Sequence, residues 1–373
     1  MRIALVTDWF HPRVGGIEVH LLELATRLAR RGHDVTVVTP WPGGDAVEGV
    51  PVERLRLRTV PGVGVSLNPV ALVREMDRVL SAGAFDVVHG HVSFGSTAVF
   101  AAGHVATRLG IPMVGTFHSV FRKLGWVYVA AAPILRWRSW PFRATAVSEA
   151  VARDLRWIMP ERPVEILPNA IDPEAWPRTA PEPTAGRLRL VTTARLQRRK
   201  RVEALVRAVD RVRRQVGPAT DVTLDVLGDG PEREALETRI RTLGLEGSVR
   251  LRGPGDADAV RVLLARGDVF VNAADQESFG IAALEALCTG LPVVARREGG
   301  VRTFIRDGVN GRLVASDDEM ARVLAELATE AGTLERLRQG AAEPIPAQYT
   351  WDALIDRHEA LYETLVREAP AEE

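Results

Sequence analysis

Short runs of near-continuous apolar residues alternate along this chain with longer stretches whose apolar positions recur every three or four residues. Residues 2–9 are the first run, rich in Ile, Leu and Val. A loop follows at His11-Pro12-Arg13-Val14-Gly15-Gly16, marked by its Pro and Gly content. Over residues 17–31, Val19, Leu21, Leu22, Leu24, Ala25 and Leu28 keep a helical period. Gly32 then stands where a helix C-terminus favours glycine. Residues 34–39 (DVTVVT) predict a strand. The theme returns with strands at 86–91, 111–118 and 144–148 and a helix at 95–109. Strands alternating with helices imply parallel βαβ units, and strands without polar alternation imply a sheet covered on both faces.

Residues 168–186 break the rhythm. They carry Pro168, Pro173, Pro177, Pro181 and Pro183 and no period, which predicts an interdomain linker. The alternation restarts with strands at 188–194, 222–227, 249–252, 269–272 and 292–295. Residues 351–367 close the chain as a helix with Leu354, Ile355, His358, Leu361 and Leu365 on one face. The expected organisation is α/β, with two Rossmann-like doubly wound domains facing across a cleft. The boundaries are 1–170 and 171–349, with 350–373 packing back on the first domain. Ligands of such sheets bind beyond the carboxyl ends of the strands.

Composition narrows the function. The 373 residues carry 48 Lys+Arg and 48 Asp+Glu, so no overall field draws the chain to nucleic acid. One cysteine, Cys288, excludes a disulfide framework and a multi-cysteine metal cluster. No apolar stretch approaches the roughly 18 residues of a spanning helix. The expected location is cytoplasmic. Lysine stands only at Lys123 and Lys200, among 46 arginines, so each carries more information than usual. Between Val87 and Ser148 there is no acidic residue, where average density would give about eight.

Neither Gly15-Gly16 nor Gly228-Asp229-Gly230 completes a dinucleotide fingerprint, and no P-loop is present. Phosphate handling is still indicated. Gly15-Gly16 lies between a strand and a helix, where backbone amides favour anions; a plain tight turn is the alternative. Arg195 to Lys200 (RLQRRK) follows the first strand of the second half. Arg offers a fork and Lys a point charge to a diphosphate, whereas a solvated basic turn is the ordinary fate of such runs. The most specific stretch is Glu277-Ser278-Phe279-Gly280-Ile281-Ala282-Ala283-Leu284-Glu285. Gly280 opens a helix, the amides of Phe279, Gly280 and Ile281 precede its first bonds, and the two carboxylates suit vicinal hydroxyls.

These segments together resemble retaining glycosyltransferases of family 4, which have the GT-B fold. The resemblance runs from about Arg2 to Val314. It rests on Gly15-Gly16, Arg195 with Lys200, Gly228-Asp229-Gly230, Glu277-x₇-Glu285, Gly290-Leu291-Pro292 and Glu298-Gly299-Gly300 in order. Within the family, residues 8–20 and 89–94 are similar to phosphatidylinositol N-acetylglucosaminyltransferases, with bacterial phosphatidylinositol mannosyltransferases more distant. The resemblance implies that Arg195 and Lys200 neutralise the donor diphosphate and that the Gly16 amide approaches its distal phosphate. It implies that Glu277 holds sugar hydroxyls, assisted by Ser278 and the amides of Phe279–Ile281, and that Glu285 binds the ribose. His118 would sit by the transferred sugar, and Arg252 and Gly253 near the base. The implied reaction transfers a hexose or N-acetylhexosamine from a nucleotide sugar with retention, without metal or other cofactor. A UDP-sugar is favoured and GDP-mannose stays open.

Other signals stand beside this reading. His89 and His91 point to one face of a strand, but no third ligand at zinc spacing accompanies them. Asp256 and Asp258 read as a helix start. The acid-free stretch mixes Arg122, Lys123, Arg136, Arg138 and Arg143 with Trp126, Tyr128, Trp137, Trp140 and Phe142, which suits an anionic membrane surface. An anionic lipid acceptor and peripheral attachment to the inner membrane face are therefore expected, with His11 and His20 as further acceptor candidates. A basic site for a soluble acceptor is the alternative. Two other functions fit the motifs: a GT-B epimerase acting on UDP-N-acetylglucosamine, and a non-catalytic nucleotide-sugar-binding module.

Overall fold

The computed structural model describes the chain apart from residues 14, 58–67, 94, 122–124, 136, 137, 139, 179–183, 185 and 370–373. The expected membrane contacts Arg122, Lys123, Arg136 and Trp137 lie outside the described residues, as does part of the predicted linker. The chain divides into two compact units. Unit 1 comprises Met1–Ala170 and Trp351–Glu373, and unit 2 comprises Ile171–Thr350.

Unit 1 runs β1 (Arg2–Val6), α1 (Gly16–Arg30), β2 (Asp34–Thr39), β3 (Ala46–Val47), β4 (Val50–Arg54), α2 (Pro69–Gly83), β5 (Val87–Val92), α3 (Thr97–Leu109), β6 (Met113–Phe117), α4 (Gly125–Leu135), β7 (Phe142–Ala146), α5 (Glu149–Ile158) and β8 (Val164–Ile166). Among the described residues its sheet has the order β3-β4-β2-β1-β5-β6-β7-β8. All neighbours are parallel except β3 with β4. Sequence periodicity does not reveal β3, β4 or β8. They are strands of two to five residues at or next to the sheet's two edges, too short or too polar to show a rhythm. Ile3, Leu5, Leu21, Leu24 and Leu28 are fully buried between β1 and α1. Each such side chain contributes about 1.5–3 kcal/mol relative to exposure.

Unit 2 runs β9 (Arg187–Thr193), α6 (Val202–Val216), β10 (Asp221–Leu227), α7 (Arg233–Thr242), β11 (Val249–Gly253), α8 (Ala257–Leu264), β12 (Val269–Asn272), α9 (Ile281–Cys288), β13 (Val293–Arg296), β14 (Gly311–Val314), α10 (Asp317–Thr329) and α11 (Ala331–Ala341). Its parallel sheet has the order β11-β10-β9-β12-β13-β14 among the described residues. Asp256 does cap α8, accepting from the Ala259 amide at 2.9 Å, which contributes about 1 kcal/mol.

The last helix, α12 (Trp351–Glu368), belongs to unit 1. Leu354, Ile355, Leu361 and Tyr362 join the core formed by β1 and α1. Ion pairs Arg31–Asp356 at 2.5 Å and Arg357–Glu165 at 2.9 Å fasten its polar side. No described helix is long and apolar enough to cross a membrane.

Candidate functional site

Parallel strands end on a common edge, so in unit 2 the loops after β9, β10, β12 and β13 gather at one side of the sheet. Glycine lets them touch. A Cβ on Gly228 would lie 2.0 Å from the Ala194 carbonyl oxygen, and one on Gly230 would lie 2.5 Å from that of Leu196. Backbone bonds from Ala194 to the Leu227 carbonyl (3.0 Å) and from Leu196 to that of Asp229 (2.9 Å) lock this contact. They hold Arg195 between them, exposed and without an ion pair among the described residues.

The loop before α9 is built the same way. A Cβ on Gly300 would meet the Ser278 carbonyl oxygen at 2.0 Å, and the Gly300 amide donates to the Glu277 carbonyl at 2.7 Å. Glu298-Gly299-Gly300 therefore works as a backbone brace under Glu277. Gly280 has φ 93°, a left-handed conformation that favours glycine. The first intrahelical bonds run from Ala283 and Leu284 to the Gly280 carbonyl, leaving the amides of Phe279, Gly280 and Ile281 ahead of them. Phe279 is itself buried against Phe304 and Tyr349, so its side chain anchors the loop.

The braced loops bring Lys200 and Glu277 together. Lys200 Nζ donates to Glu277 Oε2 at 2.6 Å, and Asn272 Nδ2 approaches the same oxygen at 3.4 Å. Burial pushes the Glu277 carboxyl upward, but the charge and hydrogen bond of Lys200, with Asn272 and Arg199, outweigh it and hold it below the usual range. Glu285 lies on the second turn of α9, half-buried, and no hydrogen bond to its carboxylate is seen among the described residues. Burial raises its carboxyl to about 7 against the opposing charge of Arg261. Arg252, at the end of β11, spends its guanidinium on Asp225 at 2.9 Å, and the Gly253 carbonyl accepts from Gly228 at 2.7 Å.

A surrounding ring of charge was not legible in the sequence. Arg201 reaches Asp275 and Asp317 at 2.7 Å each, and Arg296 reaches the same two carboxylates at 3.0 and 3.6 Å. Arg201 has φ 52°, uncommon for a residue with a side chain, immediately after Lys200. The four-membered network ties the Lys200 turn to the loop after β12, the end of β13 and the start of α10. The positions of Asp275 just beyond β12 and Arg296 at the end of β13 were the available signal.

Unit 1 carries its own cluster at the carboxyl ends of β1, β5 and β6. Gly15 and Gly16 differ: a Cβ on Gly15 would meet Glu18 Oε2 at 2.5 Å, whereas one on Gly16 would meet nothing within 4 Å. Local packing accounts for Gly15 and leaves Gly16 facing open space. His118 Nε2 lies 3.0 Å from His91 Nδ1. His89 instead bonds Tyr362 Oη (2.6 Å) and Thr116 Oγ1 (2.7 Å), so the two strand histidines have separate partners. Among the described residues no group of three His, Cys, Asp or Glu could hold a metal ion. Sequence reasoning missed Asp8. It accepts from the Ala98 amide (2.9 Å) and Thr97 Oγ1 (3.2 Å), and its other oxygen is buried without a partner. Burial raises its carboxyl to about 6 in spite of those donors.

The outer candidates separate. His20, an acceptor candidate, is buried in unit 1 and stacked on Trp351 at 4.9 Å. His11 is half-buried with Nε2 unpartnered. Arg138 donates to the Ile158 carbonyl, and Trp140 lies across Gly103 of α3. Trp126 alone of the described tryptophans on that stretch is open, with 61% of its surface exposed.

Comparison with known proteins identifies the family. The family model for Glycosyltransferase Family 4 matches residues 14–175, and that for glycosyl transferases group 1 matches residues 187–330. A phosphatidylinositol N-acetylglucosaminyltransferase subunit from Arabidopsis thaliana is 27% identical, over 98% of this chain and 83% of its own. D-inositol 3-phosphate glycosyltransferase from Stackebrandtia nassauensis is 30% identical, over 92% of this chain and 85% of its own. Anabaena HepE in complex with UDP superposes with a TM-score of 0.78 at 18% identity, covering 98% of this chain and 100% of that one. WaaG, a glycosyltransferase involved in lipopolysaccharide biosynthesis, gives 0.73 at 19% identity, covering 96% and 99%. The chain belongs to glycosyltransferase family 4, has the GT-B fold, and is a glycosyltransferase.

Proposed function

We propose that this enzyme transfers a hexose or N-acetylhexosamine from a nucleoside-diphosphate sugar, with UDP favoured, to an anionic lipid acceptor, keeping the anomeric configuration. The observation that carries the reading is the Lys200–Glu277 pair at 2.6 Å, set on braced loops at the strand ends of unit 2. In the reaction the bond from the sugar's anomeric carbon to the diphosphate breaks and one to the acceptor oxygen forms. The acceptor proton passes to the leaving phosphate. Lys200 and Arg195 stabilise the charge that grows on the diphosphate, and preorganised cations in a dry site act most strongly there. Glu277 holds sugar hydroxyls and Glu285 the ribose. Ser278 and the Phe279–Ile281 amides assist, and Arg252 and Gly253 lie near the base. Gly16 supplies an amide to the distal phosphate, and His118 neighbours the transferred sugar. No metal or other cofactor takes a role.

HepE is described with UDP and with UDP-glucose, and the named relatives act on inositol compounds, which supports a nucleotide-sugar donor and an inositol-type anionic acceptor. The lipid half rests on this chain's acid-free stretch from Val87 to Ser148 and on exposed Trp126. That face would give peripheral attachment to an anionic leaflet. The test is a thermal-shift panel of nucleotide sugars followed by transfer assays in EDTA. A true donor at about 100 Kd stabilises by roughly 2.7 kcal/mol. Product NMR with a retained anomeric centre supports the reading. Conversion of donor alone into its epimer, or no nucleotide release with any acceptor, overturns it.

A further inference from the structure

The two histidines of β5 and the one just beyond β6 form a chain whose hydrogens can be placed. Residues two apart on a strand share a face, so His89 and His91 rise from the same side of β5. His118 follows β6 by one residue, and its amide donates to the Val92 carbonyl at 2.8 Å, which sets it level with the end of β5. His91 Nδ1 and His118 Nε2 then meet at 3.0 Å. The His91 ring centroid lies 4.2 Å from that of His89 and 5.2 Å from that of His118. His89 is bonded at both nitrogens, to Tyr362 and Thr116, so His91 rests on a neighbour that is itself held.

Burial pushes both rings down, His91 well below its usual value and His118 to about 3. Each is therefore neutral near pH 7 and carries one ring N–H. Of the two facing nitrogens one donates and the other accepts. The far side of the His91 ring decides which. His91 Nε2 is buried and has no partner among the described residues. A hydrogen there would make a bare buried N–H, which proteins tolerate less than a bare acceptor. The hydrogen of His91 therefore belongs on Nδ1 and points at His118 Nε2. That bond takes up the free lone pair of His118 and leaves its hydrogen on Nδ1. His118 Nδ1 bonds nothing among the described residues, and it is not sealed in as His91 Nε2 is.

We propose that His91 is a positioning residue: its Nδ1–H donates to His118 Nε2 and so holds His118 as an Nδ1–H donor for a ligand at the strand ends of unit 1. That this ligand is the transferred sugar rests on the function proposed above. A ring held this way gives a hydrogen bond to a sugar oxygen and has no lone pair left for the acceptor's proton. His118 is thereby excluded as general base, which suits a reaction in which the leaving phosphate takes that proton.

The experiment reads the tautomer in the intact, ligand-free enzyme, by long-range proton–nitrogen NMR correlation with isotope-labelled histidine. The His118 signals are assigned by their loss in His118→Gln. His118 should show a protonated Nδ1 and a bare Nε2. His91→Phe keeps a ring beside His89 and removes the donor; His91→Leu serves if that variant does not fold. Without the donor, His118 should show both tautomers. His91→Asn, whose amide nitrogen falls near the place of Nδ1, should restore the wild-type signature. Turnover of the donor selected by the nucleotide-sugar panel should fall about tenfold in His91→Phe and largely recover in His91→Asn. Affinity for the matching nucleoside diphosphate, UDP or GDP, should not change, because it lacks the sugar; a general packing defect would lower both. In the wild type, a His118 protonated on Nε2 or on both nitrogens overturns the proposal. So does an unchanged tautomer in a folded His91→Phe or His91→Leu, or an equal loss of turnover in His91→Phe and His91→Asn. The two readings fail separately. If the tautomer is reversed while transfer proceeds, the positioning role falls and the proposed function stands. If the tautomer is as expected but no nucleotide sugar is turned over, the hydrogen placement stands and the sugar assignment falls.

Discussion

Lys200 Nζ sits 2.6 Å from Glu277 Oε2, so the one lysine of unit 2 and the carboxylate that opens the α9 loop satisfy each other in the free enzyme. Under the proposed function, a donor diphosphate would compete for the ammonium while sugar hydroxyls would take up the carboxylate. Such binding would exchange partners instead of stripping two charges bare, avoiding most of the desolvation cost of separating a partly buried pair. Lys200→Ala leaves Glu277 with the 3.4 Å Asn272 contact, and Glu277→Ala leaves Lys200 without its partner. Each variant should lower kcat by at least about 10²-fold while keeping its circular dichroism. Near-normal turnover in both would falsify their assignment to the chemistry.

Glu285 should make donor binding pH-dependent. Burial holds its carboxyl at about 7, and the ionised form is the better acceptor for ribose hydroxyls. Going from pH 6 to pH 8 raises the ionised fraction about tenfold, so Kd for the donor should fall by up to that factor. Stability runs the other way. Between the ordinary value of 4.5 and about 7, the folded chain keeps a proton that the unfolded chain has released. Stability from this group therefore declines as pH rises through that window. Titration calorimetry across pH on the wild type and Glu285→Gln checks the binding, and thermal unfolding across pH checks the stability. A variant with the wild-type pH slope would remove Glu285 from the ribose.

The two glycine pairs predict opposite behaviour. Gly300→Ala puts a methyl 2.0 Å from the backbone oxygen of Ser278, which no rotamer change can relieve. It should destabilise the protein by about 2–3 kcal/mol and cut turnover by shifting Glu277. Gly16→Ala meets nothing within 4 Å. Its melting temperature should stay within about a degree of wild type, since an open site imposes no clash. If the Gly16 amide serves a phosphate, donor affinity should nevertheless drop about tenfold, because the methyl blocks close approach. Unchanged donor affinity in Gly16→Ala would leave that glycine with a turn and nothing more.

These glycines show how far the sequence could be read. Gly228-Asp229-Gly230 and Glu298-Gly299-Gly300 were visible as motif pieces. That they serve as contact points between neighbouring loops appears only when a Cβ is placed on each one. Lys200 and Glu277 were both legible as site residues, but their mutual bond joins positions 77 residues apart, and no local pattern encodes it. The βαβ rhythm survives because buried strands and amphipathic helices impose periods on the sequence. The strands β3, β4 and β8, at or next to the sheet edges, are too short to impose one. Asp8 was missed for a related reason: a carboxylate at a strand end reads as a surface residue until the buried α3 N-terminus it caps is seen. His89 and His91 stand out as a spacing, yet what they do depends on Tyr362, Thr116 and His118, contributed by other elements.

Five of the eight histidines, His20, His89, His91, His118 and His358, are buried together in unit 1. Burial above all, with neighbouring positive charge, pushes all five down, His118 to about 3 and His358 to about 4. The sign follows from which state holds more protons. Below the ordinary value of 6.5 the unfolded chain takes up protons that the folded cluster refuses. Their contribution is complete above that pH and is lost as pH falls toward the folded values. Glu285 and Asp8 oppose this trend over part of the range, but they are two groups against five. The melting temperature should therefore fall steeply from about pH 6.5 to 4.5, with proton uptake on unfolding. Calorimetry in buffers of different ionisation enthalpy measures that uptake directly. His91→Gln removes one member and should make the slope shallower by about one proton. A flat or rising melting temperature on acidification would mean that the cluster is not held neutral, and the hydrogen bond from His91 to His118 would then need a charged ring.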